Sequence, residues 1–174
     1  MALSFPKKAY KTFIHSFPIL LLFFIAFTGF DLSFLLFNVS FSFNFIYILI
    51  FFWILKKPER LGYGLIFLVG IINDVVQNLP IGVSSINYLL LCAIATFIRT
   101  RTLMPNLLYD WIFFLVTIII ISSVNFTTLT IFFDYQIKYA TLMISSFITF
   151  LIYPVLSKIF NHINLIDLKE ENAK

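Results

Sequence analysis

The chain has 174 residues, of which 61% are hydrophobic and 11% charged, with a net charge of +4 and a mean hydropathy of +1.01. Water-soluble domains are about half apolar and about a quarter charged. The composition therefore excludes a water-soluble core and implies an outer surface that faces lipid.

A helix rises about 1.5 Å per residue, so roughly 17–25 mostly apolar residues are needed to cross about 30 Å of hydrocarbon. Six stretches approach that length. They predict an all-α integral membrane protein, a single polytopic domain over residues 1–174 folded as a bundle of about six transmembrane helices.

The first helix is predicted over residues 13–30, after the basic residues Lys7, Lys8 and Lys11. Its apolar run is longer than a signal-peptide core and no small-x-small cleavage site follows, so it reads as retained. Residues 31–41 are broken by Asp31, Ser33, Asn38 and Ser40 and read as an external connection. The second helix, 41–55, ends before Pro58, because the residue preceding a proline avoids the helical region. The third, 61–79, is opened by Glu59 and Arg60, which places a carboxylate near its positive end.

Helix three holds most of the polar residues at membrane depth. It carries Gly62, Gly64 and Gly70, then Asn73, Asp74, Gln77 and Asn78. Gly70, Asp74 and Asn78 are spaced by four and share a helical face, with Asn73 and Gln77 on a neighbouring row. A glycine on that face admits close approach of another backbone. Asp74 lies about 21 Å along a helix from Arg60. A carboxylate at the bilayer centre costs roughly 2.5–3.5 kcal/mol on insertion scales. Asp74 is therefore expected to face the bundle interior or a partner helix, paired with Asn73, Gln77, Asn87 or Tyr88. The plainer alternative is a helix-end residue wetted by the interface.

Leu79, Pro80, Ile81 and Gly82 predict a tight turn between antiparallel helices. Helix four follows over 83–98, with Ser84 as its expected N-cap. Helix five is predicted over 107–131, with Asp110 and Asp134 solvated at its two ends. Helix six is predicted over 139–160, and residues 161–174 form a polar, frayed cytoplasmic tail. Cys92, the single cysteine, sits in an apolar run and reads as a small packed hydrophobe.

All basic residues except Lys138 fall at one side of this arrangement. The positive-inside rule then puts both termini in the cytoplasm. The positive charge is a topology and anionic-lipid signal. The charges are dispersed and no RNA-binding motif accompanies them, so no nucleic-acid partner is expected. Trp53, Tyr63, Tyr109, Trp111, Tyr135 and Tyr139 lie near predicted helix ends and read as an interfacial aromatic belt.

At residues 53–101 the chain resembles the bacterial rod shape-determining protein MreD family. The pattern is an aromatic-rich helix ending in Lys57-Pro58-Glu59, a helix with Gly70 and Asp74, then Pro80-Ile81-Gly82, then the apolar helix from Asn87 through Ile98 into Arg99 and Arg101. The extra amides Asn73, Gln77 and Asn78 depart from the usual pattern. The resemblance implies a bundle like the substrate-binding subunits of energy-coupling-factor vitamin transporters. It also implies residence in the bacterial inner membrane as a non-enzymatic subunit of the lateral cell-wall elongation machinery. Its partners would be MreC and, through it, MreB, RodA and a class B penicillin-binding transpeptidase. Pro58, Glu59, Gly70, Asn73, Asp74, Gln77, Pro80 and Gly82 are the expected interaction or structural residues.

Nothing in the sequence points to catalysis or to a cofactor. His15 and His162 have no carboxylate partner at metal-binding spacing, and no glycine-rich phosphate loop is present. The rival reading is a vitamin-type binding subunit of a transporter, with an outward pocket lined by Asp74, Asn73, Gln77 and Asn87. A scaffold would instead carry a face of small residues such as Gly70, Ala93 and Ala95 for partner helices.

Overall fold

The computed structural model describes residues 5–29, 34–36, 39–41, 43–101, 106–135 and 138–172, and the side chains among them over 16–29, 43–101, 106–135, 138–162 and 164. The helices are α1 (Phe5–Thr28), α2 (Phe45–Lys56), α3 (Tyr63–Val76), α4 (Val83–Arg101), α5 (Leu107–Thr127) and α6 (Tyr139–Asn172). A 3₁₀ turn at Pro58–Arg60 precedes α3, and a π turn at Thr128–Phe132 ends α5. Between α1 and α2, Phe34–Leu36 (β1) pairs antiparallel with Val39–Phe41 (β2), Phe34 opposite Phe41 and Leu36 opposite Val39.

The centre of the bundle is α2. Every residue from Ile46 to Ile54 is buried. A helix that is apolar on all sides is stable only when enclosed on all sides. Here α1, α4 and α6 pack around it. Its aromatic residues continue into the neighbours: Phe51 lies 5.1 Å from Phe114 of α5, and Phe114 stacks on Tyr153 of α6 at 4.5 Å. Such pairs contribute about 0.5–1.5 kcal/mol each beyond area burial.

Among the described residues, three helices are long and apolar enough to cross a membrane: Val83–Arg101, Leu107–Phe132 and Tyr139–His162. The other described apolar stretches, Ser16–Thr28, Phe45–Lys56 and Tyr63–Val76, are shorter. The 12 residues of α2 extend only about 18 Å. Local chemistry explains the shortening. Pro58 interrupts the backbone after Lys57, and Gly62 and Leu61 are extended, so Glu59 and Arg60 form a separate turn and do not open α3 as expected. Helix two begins at Phe45, later than the predicted 41, because residues 39–41 are in the strand pair. Within the predicted connection, residues 34–36 and 39–41 are thus paired strands.

Two further expectations are corrected. The predicted frayed tail begins at 161, but α6 continues to Asn172. No glycine or proline follows Pro154 in this stretch, and Leu, Lys and Glu are strong helix formers. Trp53 is not a belt residue. It is fully buried, with the Arg60 guanidinium 5.0 Å above its ring. Tyr63, Tyr109, Tyr135 and Tyr139 are exposed.

The alternation of the helices follows from side-chain links. Lys56 at the end of α2 meets Asp110 at the start of α5. At the opposite end, Tyr135 Oη donates to the Asn78 carbonyl at 3.0 Å. Lys56, Lys57, Arg60, Arg99 and Arg101 therefore collect at one end of the bundle.

Candidate functional site

The polar residues of α3 meet the start of α4. Asp74 is fully buried. Gly82 N–H donates to its Oδ2 at 2.7 Å, and Ser84 N–H donates to its Oδ1 at 2.9 Å. The first amides of a helix have no partner within the helix and carry its positive end. Asp74 thus supplies from α3 the cap that the start of α4 needs. Charge-assisted bonds of this kind contribute about 1.5–3 kcal/mol each. Of the expected donors, Asn73 turns instead to Ser84 and Asn87 to Asn125, and backbone amides hold this carboxylate. Ser84 is likewise not the N-cap. It lies inside α4, and its Oγ accepts from Asn73 Nδ2 at 3.0 Å.

The turn between the two helices is shaped for this contact. Val83 N–H reaches the Pro80 carbonyl, and Gly82 has φ +104, a conformation that side-chain-bearing residues rarely adopt. Gly70 lies one turn before Asp74, and there α3 touches the α4 backbone. A Cβ on Gly70 would fall 2.4 Å from Ser85 Cα. Ser85 Oγ adds a bond to the Phe67 carbonyl at 3.0 Å.

Gly70, Asn73, Asp74, Pro80 and Gly82 therefore belong to one α3–α4 joint. Gln77 caps the end of α3 beside it. Asn78 leaves the predicted row, because α3 ends at Val76 and Asn78 takes a positive φ of 53°. Pro58 and Glu59 lie at the other end, with Glu59 exposed. The small-residue face proposed for partner helices is largely occupied from within. Gly70 and Ala95 are buried, and only Ala93 is exposed.

Asp110 was expected to be solvated. Instead it is buried, and its Oδ2 accepts from Lys56 Nζ at 2.9 Å. The pair borders a cavity of about 360 Å³ between α2, α5 and α6, lined also by Phe52, Tyr153, Ser157 and Asn161. The only sequence signal for it was that Lys56 and Asp110 both sit at helix ends assigned to the same side. Polar links also run between the long helices. Asn87 Nδ2 donates to Asn125 Oδ1 at 2.9 Å, and Ser122 and Ser146 share a hydrogen bond. Among the described residues no group of three His, Cys, Asp or Glu side chains is placed to hold a metal.

No protein-family profile matches the chain, and comparisons with curated proteins and with solved structures give no match.

Proposed function

We propose that the chain is a non-catalytic, multi-pass scaffold subunit of the bacterial cell-wall elongation machinery, in the inner membrane with both termini cytoplasmic. In this role it supports rod shape and lateral peptidoglycan synthesis through helix contacts with MreC, and through it with MreB, RodA and a class B penicillin-binding transpeptidase. The reading rests on the MreD-like residues of 53–101. The supporting observation is that five of those named for an interaction or structural role (Gly70, Asn73, Asp74, Pro80 and Gly82) meet in one joint, where Asp74 holds two backbone amides. A rigid joint without an open reactive group suits a scaffold. All six helices cross the bilayer in this proposal, with the short α2 and α3 completed by the segments that flank them.

The rival, a vitamin-type binding subunit, needs Asp74 to face a ligand. Both of its oxygens are engaged by the protein's own amides. The deciding experiment is affinity capture of the tagged, detergent-solubilised chain from native membranes, with mass spectrometry of what it retains. Recovery of MreC with wall-synthesis enzymes is the expected result. Recovery of a paired ATPase module with its coupling subunit would replace the scaffold by the transporter.

A further inference from the structure

We infer that the cavity between α2, α5 and α6 is a binding site for a zwitterionic amino-phosphate group, the chemistry of a phosphoethanolamine headgroup. The inference stands on the cavity and is independent of the scaffold role.

The cavity holds both signs of charge. Lys56 and Asp110 meet at its edge, with side chains 24% and 10% exposed, beside Tyr153, Ser157 and Asn161. A net anion bound to the Lys56 ammonium would lie close to the Asp110 carboxylate. A net cation bound to Asp110 would lie close to Lys56. Either would bring a like charge into a partly desolvated site, where repulsion is poorly screened. A ligand carrying one charge of each sign avoids the conflict. Its phosphate takes the ammonium of Lys56, its amine takes the carboxylate of Asp110, and one ion pair becomes two with no change in net charge. Lysine binds phosphate as a point charge. The Tyr153 hydroxyl and the Asn161 amide offer further donors to phosphate oxygens.

The surroundings suit a headgroup held at a membrane surface. The cavity lies at the basic end of the bundle, and Phe52 and Leu107 give it apolar walls. The helices that form it, α5 and α6, present exposed Leu108, Ile112, Val155 and Ile159 to their surroundings. A volume of about 360 Å³ falls within the range of small-molecule sites, roughly 300–1,000 Å³.

The test is native mass spectrometry of the full chain in detergent, titrated separately with short-chain phosphatidylethanolamine and phosphatidylglycerol. The expected result is retention of phosphatidylethanolamine at least about fivefold above phosphatidylglycerol. Asp110→Asn should abolish that preference, since it removes the charge that reads the amine. Asn161→Trp leaves the ion pair in place and fills the cavity, and should lower phosphatidylethanolamine retention to the phosphatidylglycerol level. Equal retention of the two lipids by the unaltered chain would overturn the proposal, and so would an undiminished preference in Asn161→Trp. This holds even if Asp110→Asn does not fold. Free glycerophosphoethanolamine, a phosphodiester that carries one charge of each sign, is the last arm. Competition by it at millimolar concentration would identify a soluble metabolite as the source, and failure to compete would identify the lipid.

Discussion

A buried carboxylate is tolerated when its lone pairs are taken up by donors, and Asp74 meets that condition with two amides from the neighbouring helix. Removing it leaves Gly82 and Ser84 N–H groups without their acceptor in a buried place. Asp74→Ala should therefore lower the stability of the purified protein by about 2–4 kcal/mol, read as an earlier thermal unfolding transition in detergent. Asp74→Asn keeps one acceptor oxygen of the same shape and should lose about half as much. Equal losses for the two would show that the joint needs both acceptor oxygens of the carboxylate, and that one oxygen in a side chain of the same shape supports nothing. The identity of Asp74 as the key polar residue was legible from its spacing with Gly70 and from its cost in a helix otherwise apolar. Its partners were not legible. Backbone amides carry no residue-specific signal, and the ones used here become donors only because α4 starts at Val83.

At the scale of the helix pair, the α3–α4 joint depends on contact between backbones. Gly70→Ala forces a Cβ against Ser85 Cα and N, so the helices must separate. The expected loss is about 1–3 kcal/mol or more. Adding Ser85→Gly should not restore it, since the obstructing atoms are main chain. Gly64 is the control. It lies in the same helix with nothing near its Cβ position, and Gly64→Ala should be neutral or stabilising by about 0.5–1 kcal/mol. Differential scanning fluorimetry of the three variants separates these cases. On the opposite side of the bundle, Lys56 and Asp110 should show a coupling of about 1–3 kcal/mol in a double-mutant cycle of unfolding free energies. A coupling near zero would mean that water screens the pair. The helices themselves were largely readable from apolar run length. Their ends were not, where strand pairing of 39–41 with 34–36 and the extended Leu61–Gly62 link decide the boundary by backbone geometry that apolar run length does not report. The Lys56–Asp110 pair was hidden for a related reason. Its members are 54 positions apart, and only the packing of α2 against α5 and α6 brings burial to a residue that chain position alone places at a surface.

For the whole molecule, the distribution of lysine and arginine makes an orientation experimentally accessible. Cys92 is fully buried, so the chain offers little background to a membrane-impermeant maleimide. In intact cells Ile81→Cys, at the exposed α3–α4 turn, should label from outside. Glu59→Cys, exposed at the basic end, should label only after permeabilisation. The reverse pattern would invert the proposed topology, and labelling of both from one side would remove α3 as a crossing helix. The composition alone was enough to anticipate an apolar helical bundle. It could not reveal that one helix would be enclosed by the rest, because a run of apolar residues looks the same whether lipid or protein surrounds it.

That enclosure bears on how the protein is made. The backbone amide of Asn44, just before α2, bonds to Thr149 of α6, 105 residues later. Ribosomes add about 5–20 residues per second, so roughly 5–20 s separate the synthesis of α2 from that of its last neighbour. Through that interval α2 has no complete protein sheath and must be solvated by acyl chains or by the insertion apparatus. Its surface from Ile46 to Ile54 carries no charged side chain, which lets it wait in either place. A charge placed on any face of α2 would thus act first on biogenesis, during the wait, and only afterwards on the finished bundle.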